Sequence, residues 1–187
     1  VTRKPSRAFE AEVDATVTNS GNHDFDWTGN TLSALLGTKQ DKFYAQVSGD
    51  VSRRGDDYLS EKFKPSVTSL EDGGERGNSG SHDWRANFKA GFTPNDTDEY
   101  AISYIRQSGE KNAPLHVSDT ANTRFWTWPY WDIESIYFIS NTQLGPNVNL
   151  KTRIYQNKFQ NLLSSFDDAT QKTQTLPRAF NSYYDDT

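Results

Sequence analysis

Three of the chain's five tryptophans, together with Phe125 and Tyr130, fall in the ten residues TRFWTWPYWD, Thr123 to Asp132. Rings in such a block can fill a core or stack on a sugar. They can also sit at a membrane surface, with an apolar body buried and a polar tip wet. Residues for covalent or metal chemistry are sparse by contrast. His23, His82 and His116 are scattered without HxH or HExxH spacing, and metal ligands need convergent geometry. There is no cysteine, which excludes a thiolate metal site and a disulfide framework. No GxSxG and no P-loop occurs, and the 25 acidic residues contain no pairing that demands acid–base catalysis. The expectation is a protein that is not an enzyme and needs no cofactor.

Three short motifs have plain readings. Asp96, Asp98 and Glu99 resemble part of a calcium loop but lack its glycine and downstream glutamate, so a solvated turn is expected. Arg54–Gly55–Asp56 spells an adhesion tripeptide, and Asn95–Asp96–Thr97 a glycosylation sequon. Both read as ordinary loop residues. Composition narrows the class further. The hydrophobic fraction is 33% but the aromatic fraction is 13%, and mean hydropathy is −0.87. Disordered chains are poor in aromatics, so high polarity with many rings points to numerous strands and long polar loops. A net charge of −5 argues against nucleic acid, which asks for a basic face. No apolar run is long enough for a transmembrane helix, and the start, VTRKPSRAFEAEV, has no signal-peptide apolar region. The absence of methionine favours a chain cut from something larger.

The elements that must carry these residues announce themselves by a period of two. Phe9, Ala11, Val13, Ala15 and Val17 alternate with Glu10, Glu12, Asp14 and Thr16. Phe43, Ala45, Val47, Gly49 and Val51 alternate with Tyr44, Gln46, Ser48 and Asp50, and Trp84, Ala86, Phe88, Ala90 and Phe92 with Arg85, Asn87, Lys89 and Gly91. Further strands are expected around Tyr100–Ile105, Ile136–Ile139 and Val148–Tyr155. A poorly periodic one lies within 25–36, and an eighth begins at RAFNSYYDD. Short turn-rich connections (37–41, 93–98, 143–147) alternate with long polar ones (54–81, 107–131, 159–178). Antiparallel up-and-down strands put all short turns at one end and all long loops at the other, as outer-membrane barrels do. Several strands approach the roughly 9–11 residues of a tilted membrane crossing, and their polar faces carry full charges suited to a wet lumen. The expected fold is all-β, an antiparallel up-and-down transmembrane β-barrel portion. A soluble β-sandwich would also alternate, and in it Trp126, Trp128 and Trp131 would stack on sugars. A complete small barrel with a structural or adhesive role is the other rival.

The blocks GFTPNDTDEYAISYIRQSGEKNAP and TRFWTWPYWDIESIYFISNTQLGPNVNLKTRIYQNKFQNLLSSFDDAT resemble the barrel region of TonB-dependent outer-membrane receptors, as does DKFYAQVSGDVSRRGDDYLSEKF. The resemblance covers roughly residues 40–187 in ordered blocks. It implies energy-dependent import across the outer membrane of a Gram-negative bacterium of a scarce ligand, typically an iron–siderophore complex. The ligand, the outer-membrane lipid with its lipopolysaccharide, and the TonB complex, acting through a plug domain, would be the partners. The family's barrel has 22 strands around that plug. Eight strands are too few to close it, no plug is present in residues 1–187, and SYYDDT lacks a terminal aromatic, so the whole chain reads as part of such a barrel. In that frame Arg53, Arg85, Lys89, Lys151 and Arg153 become candidate ligand contacts on a basic lumen wall. The simpler expectation pairs them with Glu10, Glu12 and Asp14, or with the plug. Phe125, Trp126, Trp128, Tyr130 and Trp131 become a membrane-interface girdle at the end of a long loop, with Pro129 marking where the strand begins.

Overall fold

The computed structural model describes residues 3–19, 27–117 and 123–187. All eight expected strands are present. In chain order the strands are β1 (Glu10–Asn19), β2 (Trp27–Gln40), β3 (Phe43–Arg54), β4 (Asp57–Tyr58), β5 (Glu75–Arg76), β6 (Ser81–Phe92), β7 (Glu99–Gly109), β8 (Lys111–Asn112), β9 (Phe125–Gly145), β10 (Val148–Phe166) and β11 (Phe180–Asp186). The main sheet runs β1-β2-β3-β6-β7-β9-β10-β11, antiparallel throughout, with β8 beside β9; β4 and β5 form a separate ribbon. Each long strand therefore pairs with the next one along the chain. The sheet is open: β1 and β11 stand at its two edges.

Register converts the alternation into two chemically opposite faces. Residues directly opposite in a ladder share a face, and Val13, Ala34, Gly49 and Ala86 are joined in this way across β1, β2, β3 and β6. The same face carries Val47 and Phe88, Ile102 and Phe138, and Ile154. Its large side chains are exposed: Phe9 (70%), Val13 (72%), Leu32 (56%), Phe43 (62%) and Ile154 (64%), with Leu36, Val47, Val51, Phe88, Ile102 and Ile136 close behind. The opposite face holds Tyr44, Gln46, Lys89, Ala101 and Ser103, all of them buried. Among the described residues the buried hydrophobic set is only Tyr44, Ala101, Leu115 and Phe125. At the centre of the sheet the apolar side chains are thus the exposed ones and the polar side chains the sheltered ones.

The short turns cluster at one end. Asp41 closes β2 onto β3 with φ of 43°, a left-handed conformation that a short polar side chain tolerates. Between β6 and β7, Asn95 Oδ1 accepts from the amides of Thr97 (3.0 Å) and Asp98 (2.8 Å), so the sequon asparagine is spent on its own turn. Pro146 and Asn147 separate β9 from β10. Near this end one glycine is obligatory. A Cβ on Gly91 would come within 2.2 Å of the Tyr44 ring, which lies directly opposite it in the ladder.

At the far end the described parts of the long connections are held by side-chain hydrogen bonds. Asp56 Oδ1 accepts from the amides of Ser79 (2.7 Å) and Gly80 (2.6 Å), and Arg54 bridges to Asp57. The RGD tripeptide is thereby committed to holding its own loop. Asn78 donates to the carbonyls of Ala113 (2.9 Å) and Trp126 (3.0 Å), tying two long connections to the start of β9. Two expected loops are shorter than the sequence reading gives. β9 begins at Phe125, so the aromatic block belongs to a 21-residue strand, and β10 continues for 19 residues to Phe166. Polar, poorly periodic residues here hydrogen-bond as strands because each has the other for a partner.

Candidate functional site: an aromatic ladder on the polar face

The five basic candidates separate. Arg53 does not join the polar face, because it sits in phase with Val51, opposite Asn30 and His82 at the long-loop end of the apolar face. The other four lie on the polar face by register. Arg85 is neutralised by Asp50, Nη2 to Oδ1 at 2.9 Å, with Nε also donating at 2.9 Å. Lys89 is buried, with its ammonium 5.6 Å from the centroid of the Tyr44 ring; the Tyr44 hydroxyl in turn donates to Glu99 Oε1 at 2.6 Å. Glu99 Oε2 meets Lys4 at 2.8 Å, from an N-terminal segment that crosses the polar face with Pro5 fully buried. Lys151 and Arg153 line an open hollow of about 490 Å³ with Glu99, Ile139 and Asn141. The expected partners on β1 are otherwise engaged: Glu10 and Glu12 face Arg3 at 3.4 and 3.6 Å. His82 lies in β6 and His116 in the connection after β8, and His23 lies outside the described residues.

The aromatic block is where the geometry departs most from expectation. In an unbroken strand, Trp126 and Trp128 would point to one face and Trp131 to the other. The ladder between β9 and β10 shifts here, since Tyr130 pairs with Leu162 but Thr127 pairs with Ser164. Trp128 and Pro129 together oppose the single residue Leu163, which is a β-bulge. Proline has no amide hydrogen to give a ladder, so a bulge is one of the few strand sites that accept it. The bulge resets the phase. Trp126, opposite Ser165, and Trp131, opposite Asn161, now share the polar face.

A continuous run of rings results. Trp126 and Trp128 meet edge to face at 6.2 Å, Trp128 and Trp131 at 6.3 Å, Trp131 and Phe159 at 5.0 Å, and Phe159 and Tyr184 at 5.5 Å. These separations are those of favourable aromatic pairs, each contributing about 0.5–1.5 kcal/mol beyond its buried area. The run crosses β9, β10 and β11. Two cations lie over it: Lys111 Nζ is 4.1 Å from the Trp131 ring centroid, and the Arg124 guanidinium 4.7 Å from that of Trp126. Trp126 Nε1 donates to Ser165 Oγ at 3.1 Å, and the Ser165 hydroxyl in turn donates to the Arg178 carbonyl at 2.9 Å. All three indoles are half-buried.

The register places these three tryptophans on the polar face. Trp131 lies five residues beyond Ile136, about 17 Å along the strand, and on the opposite face from it. Tyr130 is on the apolar-face side, but Glu134 and Asp132 come between it and Ile136. Phe125 is buried opposite Phe166. An aromatic row does bound the apolar face, at its short-turn end. There Phe43, Phe92 and Tyr100 stand opposite one another, with Phe43 and Phe92 stacked at 4.8 Å. Sequence reasoning missed Phe159, Tyr184, Lys111 and Arg124 as members of the ladder. Its one available signal was Pro129 inside an aromatic run, which marks a bulge as readily as a strand start. No family model, no curated protein and no solved structure matches the chain.

Proposed function

We propose that the chain is a segment of the wall of a TonB-dependent outer-membrane receptor, importing a scarce ligand such as a ferric chelate. It contributes strands and outer loops and performs no bond chemistry itself. One observation carries this reading: an eight-stranded sheet whose apolar face is exposed while its polar face is sheltered at the centre, on β3, β6 and β7. In water such a face exposes Phe9, Val13, Leu32 and their neighbours at a cost of about 25 cal/mol per Å² of apolar area. In a bilayer the same face is the buried one, and charged side chains belong on the other side. All described long connections at one end, all short turns at the other, and two free sheet edges accord with a wall that other strands complete. The ladder, on the polar side at the long-loop end, stands where a ligand arriving from outside meets the wall.

The test is depth. Single cysteines at Val47, on the apolar face of β3, and at Tyr155, exposed on the polar face of β10, are introduced into the protein in outer-membrane vesicles. A bimane label at Val47 should be quenched by doxyl lipids and be inaccessible to a charged aqueous thiol reagent, while Tyr155→Cys should react with the aqueous reagent and show no lipid quenching. Equal aqueous reactivity at both, or a detergent-free soluble monomer, would overturn this reading.

A further inference from the structure

We propose that the ladder is a binding site for a planar aromatic anion, an inference that deepens the receptor reading by naming its ligand class. The argument starts from the bulge. Without it, the three indoles would be divided between two faces; with it, they line up with Phe159 on the polar side. A stiffening rib across β9, β10 and β11 would need only the rings. The cations are the additional feature. Lys111 and Arg124 sit over Trp131 and Trp126, and neither makes an ion pair among the described residues.

A cation over one face of an indole draws its π density toward that side. The ring then welcomes an electron-rich partner better than a neutral sugar, whose C–H groups seek electron-rich faces. The ammonium and guanidinium also keep N–H donors with no carboxylate to satisfy, and these suit a carboxylate or phenolate oxygen. Rings to stack on, beside cations to neutralise charge, select a ligand that is both aromatic and anionic. Either property alone engages half of the site.

Equilibrium dialysis of the protein in lauryldimethylamine oxide separates the two properties with three probes. 2-Naphthoate carries both, decahydro-2-naphthoate carries the charge without the π system, and 2-naphthol is neutral at pH 7. 2-Naphthoate should bind about tenfold more tightly than either of the others, the scale of one good cation or stacking contribution. Lys111→Gln with Arg124→Gln should bring 2-naphthoate down to the level of 2-naphthol. This pair keeps all five rings, so an unchanged exciton couplet in circular dichroism reports the ladder intact. Trp131→Leu should weaken 2-naphthoate and 2-naphthol together, while Trp84→Leu on the apolar face should change neither. Equal retention of the three probes overturns the proposal, as does 2-naphthoate binding indifferent to Lys111, Arg124 and Trp131. The depth measurement at Val47 is independent of these probes, so failure here leaves the receptor reading standing, and failure there leaves this site standing.

Discussion

The sheet from β1 to β7 and the β9–β10 hairpin obey different rules. In the first region the phase is unbroken over most of each strand, and one face runs continuously through Val13, Ala34, Gly49, Ala86 and Ile102 with few departures, such as Leu35 and Ile105 on the other side. In the second, 21- and 19-residue strands outrun their neighbours and the phase is reset twice, beside the turn at Leu144 and again at Trp128–Pro129. The contrast teaches where each set of side chains finds its stabilisation. Across β1 to β7 the face is set by what surrounds the sheet, so every strand must agree. Beyond Glu134 the hairpin is answerable to its own loops, through Asn78, Lys111 and Arg178, and a local bulge can serve a local cluster.

Charge placement tests the first rule and carries the largest effect. Val47→Lys puts an ammonium in the middle of the apolar face and should cost about 2–4 kcal/mol of folding stability in lipid, whereas Ser48→Lys on the polar face should cost little. Urea titration of both variants in vesicles measures the difference; equal costs would mean that the two faces see the same medium.

The second rule is tested by removing the phase reset at Trp128–Pro129. Inserting one residue after Leu163 in β10 gives Trp128 and Pro129 a partner each, restores an unbroken alternation along β9, and should send Trp126 and Trp128 to the face opposite Trp131. The Trp128–Trp131 contact is then lost, at about 0.5–1.5 kcal/mol, and the tryptophan exciton signal falls. The strands β1 to β7 should keep their amide protection. A collapse of the whole sheet would show instead that the hairpin and the wall are one cooperative unit.

The smallest effect concerns the loop that holds the hairpin's far end. Asp167 is buried, and desolvation works to raise its carboxyl. The amides of Leu176 (2.9 Å) and Thr175, with the Thr175 hydroxyl (2.8 Å), outweigh that and hold it down at about 2. A carboxyl whose folded value lies below its unfolded one, near 3.8, stabilises fully above that value. The contribution is lost as pH falls through 3.8 toward 2. Amide chemical shifts of Thr175 and Leu176 should therefore move in that window and stay put above pH 5, and Asp167→Asn should abolish the transition while leaving β1 to β7 unaltered.

Much of the wall was legible in the sequence because a strand with two unlike surroundings must alternate, and alternation survives in a string of letters. The eight strands, their order, the short turns and the polarity of Arg85, Lys89, Lys151 and Arg153 follow from counting by twos. Arg53 was legible too: counting on from Val51 puts it on the apolar side. The ladder was not, since one extra residue at Trp128–Pro129 inverts every parity beyond it and no local signal separates a bulge from a strand's beginning. Nor does the sequence bring Phe159 and Tyr184 beside Trp131. That juxtaposition depends on register between β9, β10 and β11, which hydrogen bonds fix residue by residue. Local periodicity thus determined what each strand shows to either side, while only cross-strand pairing decided which rings and cations meet.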